Sequence, residues 1–186
     1  LGGAGWQTRK ARMKNRIREM AKGLIAIAAQ RQLRQAPKLA PPEGLYDEFC
    51  ARFPYDETED QLTAIEAVID DLNAGRPMDR LVCGDVGFGK TEVALRAAFC
   101  AAINGKQVAV VAPTTLLARQ HYKTFMQRFA GLPIKIGRLS RLVNAAETKE
   151  TKKELSEGAI DILIGTHAIL GKGVSFKDIG LSLIHI

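Results

Sequence analysis

Eight residues carry the strongest chemical signal in the chain: Gly84-Asp85-Val86-Gly87-Phe88-Gly89-Lys90-Thr91. They satisfy GxxxxGK[ST], a pattern in which glycines let the backbone curl until successive N–H groups converge on one point. A helix opening at the end of such a loop adds the partial positive charge of its N-terminus, so the site suits a chain of phosphates. Lys90 then reaches the β- and γ-phosphates of a nucleoside triphosphate, and the Thr91 hydroxyl is a ligand for the accompanying Mg2+. These two residues are the candidates for chemistry. Hydrolysis would also need an acidic pair at the end of a neighbouring strand, to hold the metal and polarise water.

Two further groups have polar types at strand–helix junctions. Pro113-Thr114-Thr115 stands between an apolar strand and a helix, and Gly165-Thr166-His167 follows another strand in the same way. Hydroxyls and N–H groups in such places grip backbone phosphates of a nucleic acid without reading bases. Ordinary helix capping by threonine is the other reading. Arg141, after Leu139-Ser140, is a third candidate for a phosphate. His121, Tyr122 and Cys83 are assigned to packing or surface, with Cys83 ending a buried strand.

These residues need elements to position them. The sequence predicts helices over 59–73 (Thr58 N-cap, Gln61 three residues on), from the glycine-rich loop to about Asn104, over 116–129 and over 145–157. Apolar strands are expected at 80–83, 107–112, 134–139 and 161–164. Continuous apolar strands alternating with helices mean a parallel sheet covered on both faces, a doubly wound α/β domain. Upstream, Trp6, Met13, Ile17, Met20, Leu24 and Ile27 line one face of a long helix over 6–33, preceded by a glycine-rich start that disfavours helix. A lone helix cannot bury its own stripe, so docking is expected. Pro37, Pro41, Pro42 and Gly44 make 37–52 a linker.

The net charge of +7 is uneven. Residues 1–40 carry ten Lys or Arg against Glu19, or +9, which leaves 17 basic and 19 acidic groups, or −2, for the rest. Either a polyanion partner or a solvated helix face accounts for that basic segment. With 46% hydrophobic and 25% charged residues, composition excludes a disordered or collagen-like chain. Three cysteines without a CxxC pair exclude a disulfide framework or an evident zinc site and fit a reducing cytoplasm.

The runs Met78–Ala94, Val111–Tyr122 and Asp161–His167 resemble the first motor lobe of the bacterial transcription-repair coupling factors, superfamily-two translocases on double-stranded DNA. The resemblance extends from about Leu1 to Gly180. Branch-migrating, fork-remodelling helicases share the phosphate loop and Gly165-Thr166-His167, and are less similar at Thr91–Ala94 and Leu139–Arg141. It implies a RecA-like lobe over 53–180, led by a basic connector helix over 1–36. It also implies ATP and Mg2+ as cofactors, duplex DNA as partner, and stalled RNA polymerase and excision-repair proteins as partners of the parent. By the same resemblance Gln61 reads the adenine edge, with Phe53 or Tyr55 stacked nearby. Gly84, Asp85, Val86, Gly87, Phe88, Gly89, Lys90 and Thr91 cradle the triphosphate. Thr114, Thr115, Arg141, Thr166 and His167 contact DNA. Arg119 stands where the family more often has glutamine, adding a positive charge.

Beyond Gly180 the resemblance implies an apolar strand ending in an Asp-Glu pair, where this chain has His185 and Ile186. Leu181-Ser182-Leu183-Ile184-His185-Ile186 is what one reading frame of a transposon-end sequencing adaptor encodes, so 181–186 is expected to be non-native. As written, the chain is expected to bind nucleotide and not to turn over ATP. A nucleotide-binding module without motor function is the alternative.

Overall fold

A computed structural model describes residues 3–141 and 143–185. Leu1, Gly2 and Ile186, the outermost residues of the expected connector and tail, lie outside the described residues. In chain order the helices are α1 (Ala4–Leu33), α2 (Leu45–Ala51), α3 (Glu59–Asn73), α4 (Lys90–Ile103), α5 (Thr115–Arg128) and α6 (Ala145–Glu157). The strands are β1 (Gln107–Val111), β2 (Ile136–Leu139), β3 (Ile162–Gly165) and β4 (Ile179–Ile184). A short 3-10 helix, His167–Leu170, follows β3.

The four strands form one parallel sheet in the order β2-β3-β1-β4. Alternate side chains of β1 go to opposite faces, as the pleat requires. Val108 and Val110 join a core made with α2, α3, α4 and the end of α5. Ala109 and Val111 join a second core with Leu155 of α6, Ile160 and Ile169. The sheet is therefore covered on both faces, the expected doubly wound arrangement. Its centre is α4, whose small residues Ala97, Ala98, Ala101 and Ala102 are buried and let neighbours approach closely. Phe99 of α4 stacks on Phe49 of α2 with ring centroids 4.5 Å apart.

One buried amide staples the sheet at its amino-terminal edge. Gln107 donates to the carbonyl oxygens of Leu155 and Ile160 at 2.9 and 2.8 Å, and its Oε1 accepts from the N–H groups of Lys177 and Asp178 at 2.7 and 3.0 Å. All four hydrogen-bonding positions of the amide are thus used, as burial demands.

Several elements differ from the sequence expectation. Residues 80–83 form no ladder among the described residues, and Leu81 is 74% exposed. A run of four residues becomes a strand only when a neighbour accepts its hydrogen bonds and covers its faces. Cys83 is accordingly exposed rather than buried. Helix α1 begins at Ala4, within the glycine-rich start, and its apolar stripe does not dock on the body: Trp6 is 62% exposed and Leu24 68%. An ion pair between Arg31 and Asp79 ties its last turn to the lobe.

The stretch 37–52 packs as well as connects. Leu39 and Phe49 are in the main core, and the N–H of Leu39 donates to the carbonyl of Leu72 at 3.0 Å. Residues 181–184 lie in β4, paired with β1, and alternation puts Leu181 into the main core with Leu183 packed against it.

Candidate functional site

The phosphate loop sits at the N-terminus of α4, and its shape follows from two glycines. Gly87 and Gly89 have φ of +91° and +67°, in the left-handed region that side chains other than glycine rarely adopt. Gly89 is the N-cap of α4, so the helix starts with unpaired N–H groups directed at the loop. Lys90 folds back over it. The ammonium donates to the carbonyl oxygens of Gly84 and Asp85 at 2.5 and 2.6 Å. These neutral acceptors can be exchanged for phosphate oxygens, which bind a cation more strongly. Thr91 follows in the first turn, half-buried. One hydroxyl is a sufficient protein share for Mg2+, which usually binds through one or two protein oxygens together with substrate phosphates.

Gln61 meets this loop. Thr58 caps α3 by accepting from the N–H of Gln61 at 3.3 Å, and the Gln61 Oε1 accepts from the N–H of Thr58 at 2.9 Å. Its Nε2 donates to the carbonyl of Phe88 at 3.0 Å. A Cβ on Gly89 would come within 2.2 Å of that nitrogen, so the approach of Gln61 depends on Gly89 having none. Beside the segment an open concavity is lined by Phe53, Pro54, Tyr55 and Asp56. Phe53 meets Tyr55 edge-on at 5.6 Å and lies 5.9 Å from the Arg128 guanidinium, whereas Tyr55 is 73% exposed. The freer ring is Tyr55.

The other candidates converge on the carboxyl ends of the strands. Leu139, Gly165 and Val111 are side by side in the ladder, so Ser140-Arg141, Thr166-His167 and Pro113-Thr114-Thr115 leave the sheet at one edge. Gly165 makes this possible, since a Cβ there would lie 2.3 Å from the Leu139 carbonyl oxygen. Thr115, Ala118, Arg119, Arg138, Ser140 and Ile164 line a small cleft at that edge. Thr114 is the N-cap of α5, and its hydroxyl accepts from the N–H of Leu117 at 3.2 Å. The capping reading is thus realised for Thr114. Thr166 makes no side-chain cap to the 3-10 helix that it opens. Arg141 and His167 are exposed.

A helicase model, described as DEAD/DEAH box helicase, matches residues 58–184, which contain this loop and all three strand-end groups. The chain belongs to the DEAD/DEAH box helicase family. It is 48% identical over 184 residues to the transcription-repair-coupling factor of Bacillus subtilis (strain 168) and 48% identical to that of Escherichia coli (strain K12). Each match covers 99% of this chain and 16% of the relative, so the chain spans about one sixth of the length of these relatives. Among solved structures it is similar to RecG bound to a three-way DNA junction, at 34% identity and a TM-score of 0.78, over 84% of this chain and 22% of that one. A hypothetical ATP-dependent RNA helicase from Sulfolobus tokodaii shares the fold, at 19% identity and a TM-score of 0.53, over 72% of this chain and 38% of that one.

Within this helicase lobe lies a charged cluster that sequence reading missed. Glu92, directly after Thr91, is 3% exposed, and its Oε1 accepts from Arg96 Nε at 2.9 Å and from Arg128 Nη2 at 2.6 Å. Arg96 also donates through Nη2 to Glu57. That hydrogen bond holds the Glu57 carboxyl below the usual range. Burial works against the Arg96 charge, yet Glu57 and Glu92 outweigh it and raise its pKa. Arg128 in turn donates to the carbonyl of Phe49 at 3.0 Å and lies 4.4 Å from the centre of the Phe49 ring. The readable signal was Glu92 and Arg96, four residues apart on an otherwise apolar helix.

His121 and His185 also meet, with Nε2 and Nδ1 3.0 Å apart, and burial together with His185 lowers the pKa of His121. Among the described residues no three His, Cys, Asp or Glu side chains gather as a metal site, and no helix is long and apolar enough to cross a membrane.

Proposed function

We propose that the chain is the ATP-binding part of motor lobe one of a double-stranded-DNA translocase of the transcription-repair coupling kind. The parent protein would displace stalled RNA polymerase and recruit nucleotide excision repair in the cytoplasm. Lys90 and the N–H groups of Gly84–Thr91 bind the triphosphate, and Thr91 with phosphate oxygens holds Mg2+. Gln61 reads adenine beside Tyr55. Thr114, Thr115, Arg141, Thr166 and His167 grip one DNA strand at the carboxyl edge of the sheet. Bound ATP supplies the phosphoanhydride whose cleavage drives movement.

The observation that carries this reading is the loop itself: two left-handed glycines, a helix N-terminus behind them, and a lysine ammonium held by exchangeable carbonyls. Two others compete with it. The likeness to RecG supports a branch-migrating, fork-remodelling helicase, but 34% identity there against 48% to the coupling factors favours the first. The residues after β4 support a nucleotide-binding module without motor activity. His185 stands where an acid is needed, and imidazole does not replace a carboxylate beside Mg2+. The 186-residue chain therefore binds nucleotide without turning it over.

We propose too that 181–186 is not native, and sequencing the source locus past the codon for Gly180 separates these readings. An Asp-Glu pair followed by a second lobe is expected. Codons for Leu-Ser-Leu-Ile-His-Ile that differ from the adaptor, followed by a stop, would overturn the motor reading and leave the binding module.

A further inference from the structure

The buried cluster closes a ring of contacts around the nucleotide loop. Thr91 is followed by Glu92, whose carboxylate accepts from Arg96, and Arg96 reaches across to Glu57 on the segment before α3. Glu57 precedes Thr58, whose capping box contains Gln61, and Gln61 returns to the loop at the Phe88 carbonyl. Helices α3 and α4 are already held by apolar packing through Ile65, Val68, Val93 and Ala97. Apolar contact sets distance between helices but is tolerant of sliding, whereas a planar guanidinium between two carboxylates fixes direction and register.

We propose that Arg96 is a positioning residue for base selection: by bridging Glu92 to Glu57 it fixes Gln61 relative to the phosphate loop, and so sets the preference for adenine over guanine nucleotides. The proposal rests on the nucleotide-binding reading above. Adenine offers a donor at N6 beside an acceptor at N7, while guanine offers acceptors at O6 and N7. An amide pairs with the first edge through one oxygen and one N–H, and with the second only singly. The Gln61 oxygen has two lone pairs and its nitrogen two hydrogens, so each end keeps one position free beyond its bond to Thr58 or Phe88. Such a two-point match is sensitive to displacement of about 1 Å. Arg96 does not touch nucleotide in this scheme. Removing it leaves the phosphate loop and its lysine intact and lets the Gln61 turn drift.

The test is equilibrium titration of the 186-residue chain with ATP and with GTP, each with Mg2+, for wild type, Arg96→Lys, Gln61→Ala and the double variant. Lysine keeps the charge and loses the fork. The expected result is GTP affinity unchanged within about twofold in Arg96→Lys, an ATP-over-GTP preference reduced about tenfold in each single variant, and no further reduction in the double variant. If Arg96→Lys does not fold, Glu57→Ala removes the same bridge from its partly exposed side and is read in the same way. Preference kept in the Arg96 or Glu57 variant while Gln61→Ala loses it overturns the inference and leaves nucleotide binding standing. Preference kept in Gln61→Ala overturns it as well. Wild type that binds neither nucleotide overturns the underlying reading instead.

Discussion

Gln61 and Phe88, 27 residues apart in sequence, are joined by a 3.0 Å hydrogen bond from the side-chain amide to the backbone carbonyl. The bond joins the first turn of α3 to the phosphate loop, and it forms only because Gly89 leaves room for it. Local capping and long-range loop geometry therefore share one side chain.

The carboxylate of Glu92 is the most consequential buried charge. It holds Arg96 and Arg128 together, so Glu92→Ala leaves Arg128 in the interior without a carboxylate and Arg96 with Glu57 alone. A loss of about 3–5 kcal/mol is expected, because an uncompensated buried charge is costly. Thermal melting should show a fall of roughly 10 °C for a chain of this size. A variant that melts like wild type would show that the cluster contributes nothing.

Glu57 gives a pH signature. Its carboxyl is lowered from the ordinary 4.5 by the hydrogen bond from Arg96, so in this pair the folded state favours the ionised form. The stabilisation is full above about pH 4.5 and disappears as pH falls through the lower folded-state value. Glu57→Gln is expected to cost about 1–2 kcal/mol at pH 7. The difference from wild type should start to narrow below about pH 4.5 and close as pH falls through the lower folded-state value, in melting curves taken across pH. A difference independent of pH would contradict the ion pair.

The three thiols should separate by reactivity. Cys83 is exposed just before Gly84, Cys50 is half-buried, and Cys100 is buried with its thiol pushed up to about 12, mainly by burial. At pH 8 Cys100 therefore stays in the thiol form. Alkylation followed by mass spectrometry should label Cys83 first and Cys100 only on unfolding, and Mg-ATP should slow the reaction at Cys83. Equal rates at all three would contradict the packing of α4.

Arg141 tests the DNA edge. Arg141→Ala should weaken duplex-DNA binding across sequences and reduce the slope of log affinity against log salt by about one, the loss of a single phosphate contact. Fluorescence anisotropy at several salt concentrations measures both quantities. An unchanged slope would remove Arg141 from the interface.

Much of this architecture is legible in the residues because the signals are local. Thr58 and Gln61 mark the start of α3 through a capping box that the structure contains, and the spans 59–73 and 145–157 coincide with α3 and α6. The Gly84–Thr91 loop is legible because its eight residues are contiguous and each glycine meets a local demand. Non-local features are not legible. Arg128 and Glu92 are 36 residues apart and meet only once the sheet has brought the end of α5 beside the start of α4. Residues 80–83 have the composition of a strand, but composition does not supply the neighbour that a ladder needs. Helix α2 is hidden by the prolines before it, and becomes evident only through Phe49 in the core.

The central claim is that Gly84–Thr91 binds the triphosphate of a nucleotide through Lys90. Its most direct test is equilibrium binding of Mg-ATP by the 186-residue chain, compared with Lys90→Ala under the same conditions. Loss of a charge-assisted contact of this kind should weaken binding by at least about tenfold, with the melting temperature in the absence of nucleotide unchanged. Equal affinity in the two proteins, or no saturable binding by the wild type, would contradict the account.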